Sequence, residues 1–110
     1  MLPKNKRIPR SLFSEILKSR RFAHSAHFSL RIGSSPSKAS RLAVSVSKKV
    51  SKSAVVRNTI RRRAYSAVAA ELPSLPAGLY LVVAKSGAEK IKGEALEKEL
   101  VTLLKAGERS

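Results

Sequence analysis

Arg41-Leu42-Ala43-Val44-Ser45-Val46-Ser47-Lys48-Lys49-Val50-Ser51-Lys52-Ser53-Ala54-Val55-Val56-Arg57-Asn58-Thr59-Ile60-Arg61-Arg62-Arg63 changes its hydrophobic period part-way along. From Arg41 to Lys48, Leu42, Val44 and Val46 alternate with Ala43, Ser45 and Ser47. That is the two-residue period of a half-buried strand with a small, polar outer face. Ser53 can cap a helix: Val56, Ile60, Ala64, Ala67 and Glu71 recur at helical steps with Val68 beside them, and no glycine or proline intervenes before Pro73. The spacing predicts a helix over 54–71, entered from a strand through a basic loop.

Upstream of this stretch, Phe22 to Ile32 is mostly alternating, with Phe28, Leu30 and Ile32 on one side and Ser29 and Arg31 on the other. It predicts one further strand, followed by a loop from Gly33 to Lys38. Ser11 can cap a short helix over 11–19 whose apolar residues are Leu12, Phe13, Ile16 and Leu17. Residues 1–10 carry Lys4, Lys6, Arg7 and Arg10 with two prolines and read as a mobile basic arm. Downstream, Pro73 and Pro76 break the chain before Leu79-Tyr80-Leu81-Val82-Val83-Ala84-Lys85, a nearly continuous apolar run expected of a strand covered on both faces. A last helix is predicted over 94–106, with Leu96, Leu100, Leu103 and Leu104 inward, glutamates in its first turns and Gly107 as its stop. The order is α-β-β-α-β-α, an α+β, two-layer sandwich of one small sheet with three helices.

With 110 residues the chain fits one domain, 1–110, and its 43% hydrophobic content is enough for a core that is mainly aliphatic, since aromatics make up 5%. No cysteine and no aspartate is present, which excludes disulfides, zinc ribbons and Asp-based sites. No apolar block matches a signal sequence or approaches the roughly 18 residues of a membrane span, so a cytoplasmic location is expected. The net charge is +16, and all of it lies before residue 71: 17 basic residues and one acid precede that point, and 6 of each lie beyond it. A charge needed only for solubility would be spread out, whereas a concentrated one suits a polyanion whose counterions are released on binding. An RNA-binding domain is therefore expected, with no membrane partner and no small-molecule substrate.

The segment from Ser47 to Arg63 holds seven of the basic residues. On the predicted helix Arg57 and Arg61 are four apart, as are Asn58 and Arg62, so two rows of donors stand beside the Val56/Ile60/Ala64 stripe. Like charges at that spacing repel by a few tenths of a kcal/mol per pair, roughly, which a purely structural helix would avoid. Guanidinium forks pair well with phosphate oxygens, and Asn58 adds a group that both donates and accepts.

Arg57-Asn58-x-Ile60-Arg61-Arg62, preceded by Ser45-Val46-Ser47-Lys48-Lys49-Val50 and Ala54-Val55, resembles the RNR motif region of the bacterial ribonuclease P protein subunit family. The resemblance extends to Phe13, Phe28, the Leu81–Lys85 strand and the Leu/Glu/Lys-rich terminal helix, in the same order. It implies a left-handed βαβ crossover, an exception to the usual hand. It also implies a division of labour: a large RNA removes the 5′ leader of precursor tRNA using Mg2+ held mainly by RNA, and the protein binds that catalytic RNA and the leader. By this likeness Lys48, Lys52, Arg57, Asn58, Arg61, Arg62 and Arg63 face the catalytic RNA. Phe13, Leu17, Arg31, Ser45, Lys49 and Lys85 line the leader cleft, where bases stack on rings and phosphates meet cations. Thr59 stands where the family commonly has a further arginine and Tyr65 where it often has a basic residue. Leu17 and Arg31 replace frequent aromatics, so weaker stacking on the leader and stronger electrostatics are expected.

Protein-based phosphodiester cleavage needs a general base, a nucleophile or clustered carboxylates. His24 and His27 diverge if extended, with no carboxylate near them in sequence, and Glu94, Glu97 and Glu99 read as dipole partners on a solvated helix face. No residue is assigned a catalytic role and none a metal; any hydrolase activity belongs to the ribonucleoprotein. The alternative left by the charge is a non-enzymatic structural RNA binder of ribosomal type.

Overall fold

The computed structural model describes residues 8, 16, 21–33, 40–71, 75 and 78–108. They form strands β1 (Arg21–His24), β2 (Phe28–Gly33) and β3 (Ser40–Ser45), helix α1 (Ala54–Ala69), strand β4 (Gly78–Ala84), a 3-10 turn (Ala88–Lys90) and helix α2 (Gly93–Glu108). The four strands make one mixed sheet in the order β1-β2-β4-β3. β1 and β4 both run antiparallel to β2, while β3 and β4 lie side by side in parallel, joined through α1.

The α+β class stands, with one difference in strand count among the described residues. The helix expected over 11–19, with Phe13 and Leu17, lies outside the described residues except for Ile16, which is helical and buried. The single strand expected over 22–32 is instead a hairpin. At Ser25 the backbone N–H donates to the Phe28 carbonyl (2.8 Å), and the hydroxyl accepts from the Phe28 N–H (3.2 Å). A serine hydroxyl thus closes a turn that carries no Gly, Pro or Asn, and alternation on both sides of it hides the reversal in the sequence.

The sheet buries its larger apolar face under the two helices. Phe28, Leu30, Ile32, Leu42, Val44, Tyr80 and Val82 meet Ile60, Ala64 and Val68 of α1 and Leu96, Leu100, Leu103 and Leu104 of α2. α1 begins as predicted, with Ser53 Oγ accepting from the Val56 N–H at 3.3 Å, and it ends two residues short of the predicted end. The opposite face is covered by Ile8 and Ile16 on Ala43, Leu79 and Leu81. β4 is therefore buried on both sides, as its unbroken apolar run requires. Ile8 is the described residue of the basic arm expected over 1–10.

Gly107 does not stop the last helix, which runs through Glu108. A Cβ at Gly107 would lie 2.7 Å from both Ile32 Cδ1 and Leu30 Cδ2. The glycine lets the last turn of α2 approach the sheet, so its reason is close packing and not termination.

Candidate nucleic-acid interface

The register fixes which side chains share the sheet's second face. Phe22 lies opposite Arg31, Arg31 opposite Leu81, and Leu81 beside Ala43; the next row runs His24, Ser29, Val83, Ser45. Directly paired residues project on the same side. Ile8 and Ile16 cover Leu81 and Ala43, but His24 and Ser45 are exposed and Ser29 and Val83 half-exposed, which leaves an open strip across all four strands. Arg31 and Phe22 are exposed at one side of it. Of the residues expected in the leader cleft, the structure brings Arg31 and Ser45 onto this face, while Phe13 and Leu17 fall outside the described residues.

β3 and β4 are parallel, so Ser45 and Lys85 emerge at the same end of the sheet. Lys48, Lys49 and Lys52 are exposed in the loop that leaves that end and enters α1. Lys85 Nζ donates to the Ser25 carbonyl (2.8 Å) and keeps two further donors. Electropositive groups thus gather where strip, loop and helix meet.

On α1 the buried stripe of Ile60, Ala64 and Val68 sets the angular position of everything else. At 100° per residue Asn58 and Arg62 fall about 120° and 160° from the centre of that stripe, Arg61 and Arg63 to its two sides, and Arg57 in line with it one turn before Ile60 and Ala64. Burial agrees with this geometry: Asn58 and Arg62 are exposed, whereas Arg57, Arg61 and Arg63 are half-buried. Arg57 Nη1 donates to the Ser51 carbonyl (2.9 Å) and ties the loop to the helix. Arg63 Nη1 reaches the Glu89 carbonyl at 3.4 Å. Arg61 Nη1 donates to Asn58 Oδ1 at 3.0 Å, orienting the amide so that its NH2 points away. Thr59 Oγ1 donates back to the Val55 carbonyl (2.9 Å), and Tyr65 Oη accepts from the Val44 N–H (3.2 Å) on the free edge of β3. Both side chains thus have structural uses.

An open groove of about 630 Å³ separates α1 from the start of α2. Arg62 and Arg63 form one wall and Glu94 and Glu97 the other, so it is less attractive to a polyanion than the strip and the loop.

One carboxylate departs from its expected place. Glu99 is not on a solvated face: its Oε2 accepts from Ser25 Oγ (2.6 Å) and the His27 N–H (2.8 Å), and its Oε1 lies 2.7 Å from His27 Nδ1. Burial alone would raise the Glu99 carboxyl, but hydrogen bonds from Ser25 and from the His27 ring and backbone, with charge on His27, hold it below its ordinary value. His27 therefore does have a carboxylate partner, 72 residues away, and the pair clamps the hairpin turn on α2. Phe22 and His24 also stand on the open face without having been expected there, because the strand reversal that turns them outward leaves no local mark in the sequence.

A family model for ribonuclease P matches residues 2–107. The chain belongs to this family. The ribonuclease P protein component of Streptococcus agalactiae is 38% identical over 65 residues, 59% of this chain and 59% of that protein. The corresponding component of a Picosynechococcus species is 39% identical over 70 residues, 63% of this chain and 60% of that protein. The chain thus aligns with about three-fifths of the length of these curated relatives. The Staphylococcus aureus RNase P protein superposes with a TM-score of 0.81 at 25% identity, covering 92% of this chain and 94% of that one. The Thermotoga maritima RNase P protein shares the fold at 21% identity, with a TM-score of 0.79 over 91% and 96% of the two chains. Membership of the ribonuclease P protein family thus rests on both the whole-chain match and the fold.

Proposed function

We propose that this chain is the protein component of ribonuclease P in the cytoplasm, where it binds the catalytic RNA and the 5′ leader of precursor tRNA and assists RNA-catalysed removal of the leader. The observation that carries the reading is the convergence at one end of the sheet. A helix exposing Asn58 and Arg62, a loop exposing Lys48, Lys49 and Lys52, and an open strip ending in Ser45 and Lys85 adjoin there. In this reading Lys48, Lys52, Asn58, Arg61 and Arg62 meet the catalytic RNA, with Arg57 and Arg63 adding charge while each spends a donor on a carbonyl. Arg31, Ser45, Lys49 and Lys85, with Phe13 and Leu17, take the single-stranded leader. The family likeness supports a left-handed hand for the β3-α1-β4 crossover.

Among the described residues no three His, Cys, Asp or Glu side chains gather into a group that could hold a metal. In this reading the protein's share is binding and orientation, and the Mg2+ of the holoenzyme is held mainly by RNA oxygens. Among the same residues no helix is long and apolar enough to cross a membrane.

The test is precursor-tRNA cleavage at low Mg2+ with a bacterial ribonuclease P RNA, with and without this protein, beside a protein-only reaction. Stimulation that requires the RNA is the expected result. No stimulation would point to a ribosomal-type binder, and cleavage by the protein alone would overturn the division of labour.

A further inference from the structure

Phe22 stands out among the described residues as an aromatic ring 52% exposed on an edge strand. Its neighbour Ala23 packs on the core, so β1 is anchored while Phe22 and His24 project from the opposite face. The two rings meet edge to face, with centroids 5.4 Å apart and planes at 70°. The geometry is that of a mutually braced pair, and bracing limits the rotamer freedom that Phe22 would otherwise surrender on binding.

An exposed ring on a sheet edge ordinarily invites association with another chain. Here that chain would be a second copy carrying the same +16 charge, which disfavours self-association. A nucleic acid meets the opposite situation. Phe22 pairs across the strands with the exposed Arg31, and His24 begins the open row that runs through Ser29 and Val83 to Ser45. The aromatic pair is therefore continuous with the strip assigned to the leader. Rings that alternate with cations are the arrangement that binds single strands, since every base has a face to stack and every nucleotide a phosphate.

We propose that Phe22, braced by His24, is a stacking site for one unpaired base of the leader, at the end of the strip farthest from Ser45. The inference rests on the reading of the strip as the leader's path and adds to it a base-binding position. It also revises the expectation of weak stacking that an arginine at position 31 raises: an aromatic ring is present one strand over.

The test uses holoenzyme reconstituted with a bacterial ribonuclease P RNA and compares equilibrium binding of a precursor tRNA with a long leader against the same tRNA without one. Phe22→Ala weakens binding of the leader-bearing substrate by about 5-fold or more, the low end for loss of one stacked base, and leaves the leaderless one unchanged. Phe22→Trp retains wild-type affinity, and Phe22→Val, which keeps strand propensity, repeats the loss should alanine disturb β1. In a series of leaders each with one abasic nucleotide, one position removes the difference between wild type and Phe22→Ala. Equal losses for both substrates, no loss at all, or additive losses at every abasic position would overturn the stacking site. Wild-type holoenzyme that does not distinguish the two substrates would overturn the leader reading itself. A change in sedimentation of the free protein on Phe22→Ala would instead assign the patch to a second copy.

Discussion

Replacing Glu99 by alanine removes the carboxylate that joins the β1-β2 turn to α2. Three contacts go at once: Ser25 Oγ at 2.6 Å, the His27 N–H at 2.8 Å and His27 Nδ1 at 2.7 Å. Hydrogen bonds to a charged group contribute about 1.5–3 kcal/mol each when water cannot replace them. The Glu99 side chain is 14% exposed and that of His27 31%, so water recovers part of the loss. The net cost is about 2 kcal/mol, largely the penalty of the stranded His27 N–H, with a fall in Tm of about 8 °C for a domain of this size. The assay is urea unfolding monitored by circular dichroism at neutral and acid pH. The folded carboxyl sits below its ordinary 4.5, so its contribution is complete above that value and is lost as pH falls through the depressed one. Glu99→Gln keeps an acceptor but not the charge, and should remove this part of the acid sensitivity. Because the Ser25 carbonyl holds Lys85 Nζ at 2.8 Å, the alanine variant should also weaken binding of leader-bearing tRNA. A loss under about 0.5 kcal/mol, the level of an ordinary surface substitution, or an unchanged acid profile for Glu99→Gln, would refute the clamp.

Three further outcomes are expected. Arg62→Ala should weaken binding to the catalytic RNA and lower the slope of log K against log salt by up to about one unit, whereas Asn58→Ala should weaken it without changing the slope. Tyr65→Phe should cost about 1 kcal/mol in urea unfolding, because the Val44 N–H on the edge of β3 loses its acceptor. Gly107→Val should cost about 1–3 kcal/mol by overpacking, because a Cβ there meets Ile32 and Leu30 at 2.7 Å; a variant as stable as the parent would show that the close approach relaxes freely.

Legibility in the sequence depends on how far apart the interacting residues lie. β3, β4 and α1 are legible because each element's period is written in consecutive residues, and the change of period between Ser45 and Ser53 locates the basic loop. The exposed face of α1 is legible too, since Ile60, Ala64 and Val68 determine by rotation alone that Asn58 and Arg62 face outward. The β1-β2 reversal is not. In one continuous strand Phe22 and His24 would share a face with Phe28 and Leu30; the Ser25-Ala26-His27 turn puts them on the other, and only the tertiary pairing of Ala23 with Leu30 reveals it. Glu99 escapes a local reading for a related reason: its partners lie 72 and 74 residues upstream, beyond any local pattern. Gly107 reads locally as a helix stop, and only contact with Leu30 and Ile32 shows it to be a packing residue.

The central claim is that α1 faces the catalytic RNA while the sheet strip faces the leader. The chain has no cysteine, so Asn58→Cys and Ser45→Cys each introduce a single exposed thiol for a short photocrosslinker. In the holoenzyme bound to precursor tRNA, the probe at position 58 should label the catalytic RNA and the probe at position 45 the leader. Leader labelled from position 58, or catalytic RNA alone labelled from both positions, would contradict the assignment of the two surfaces.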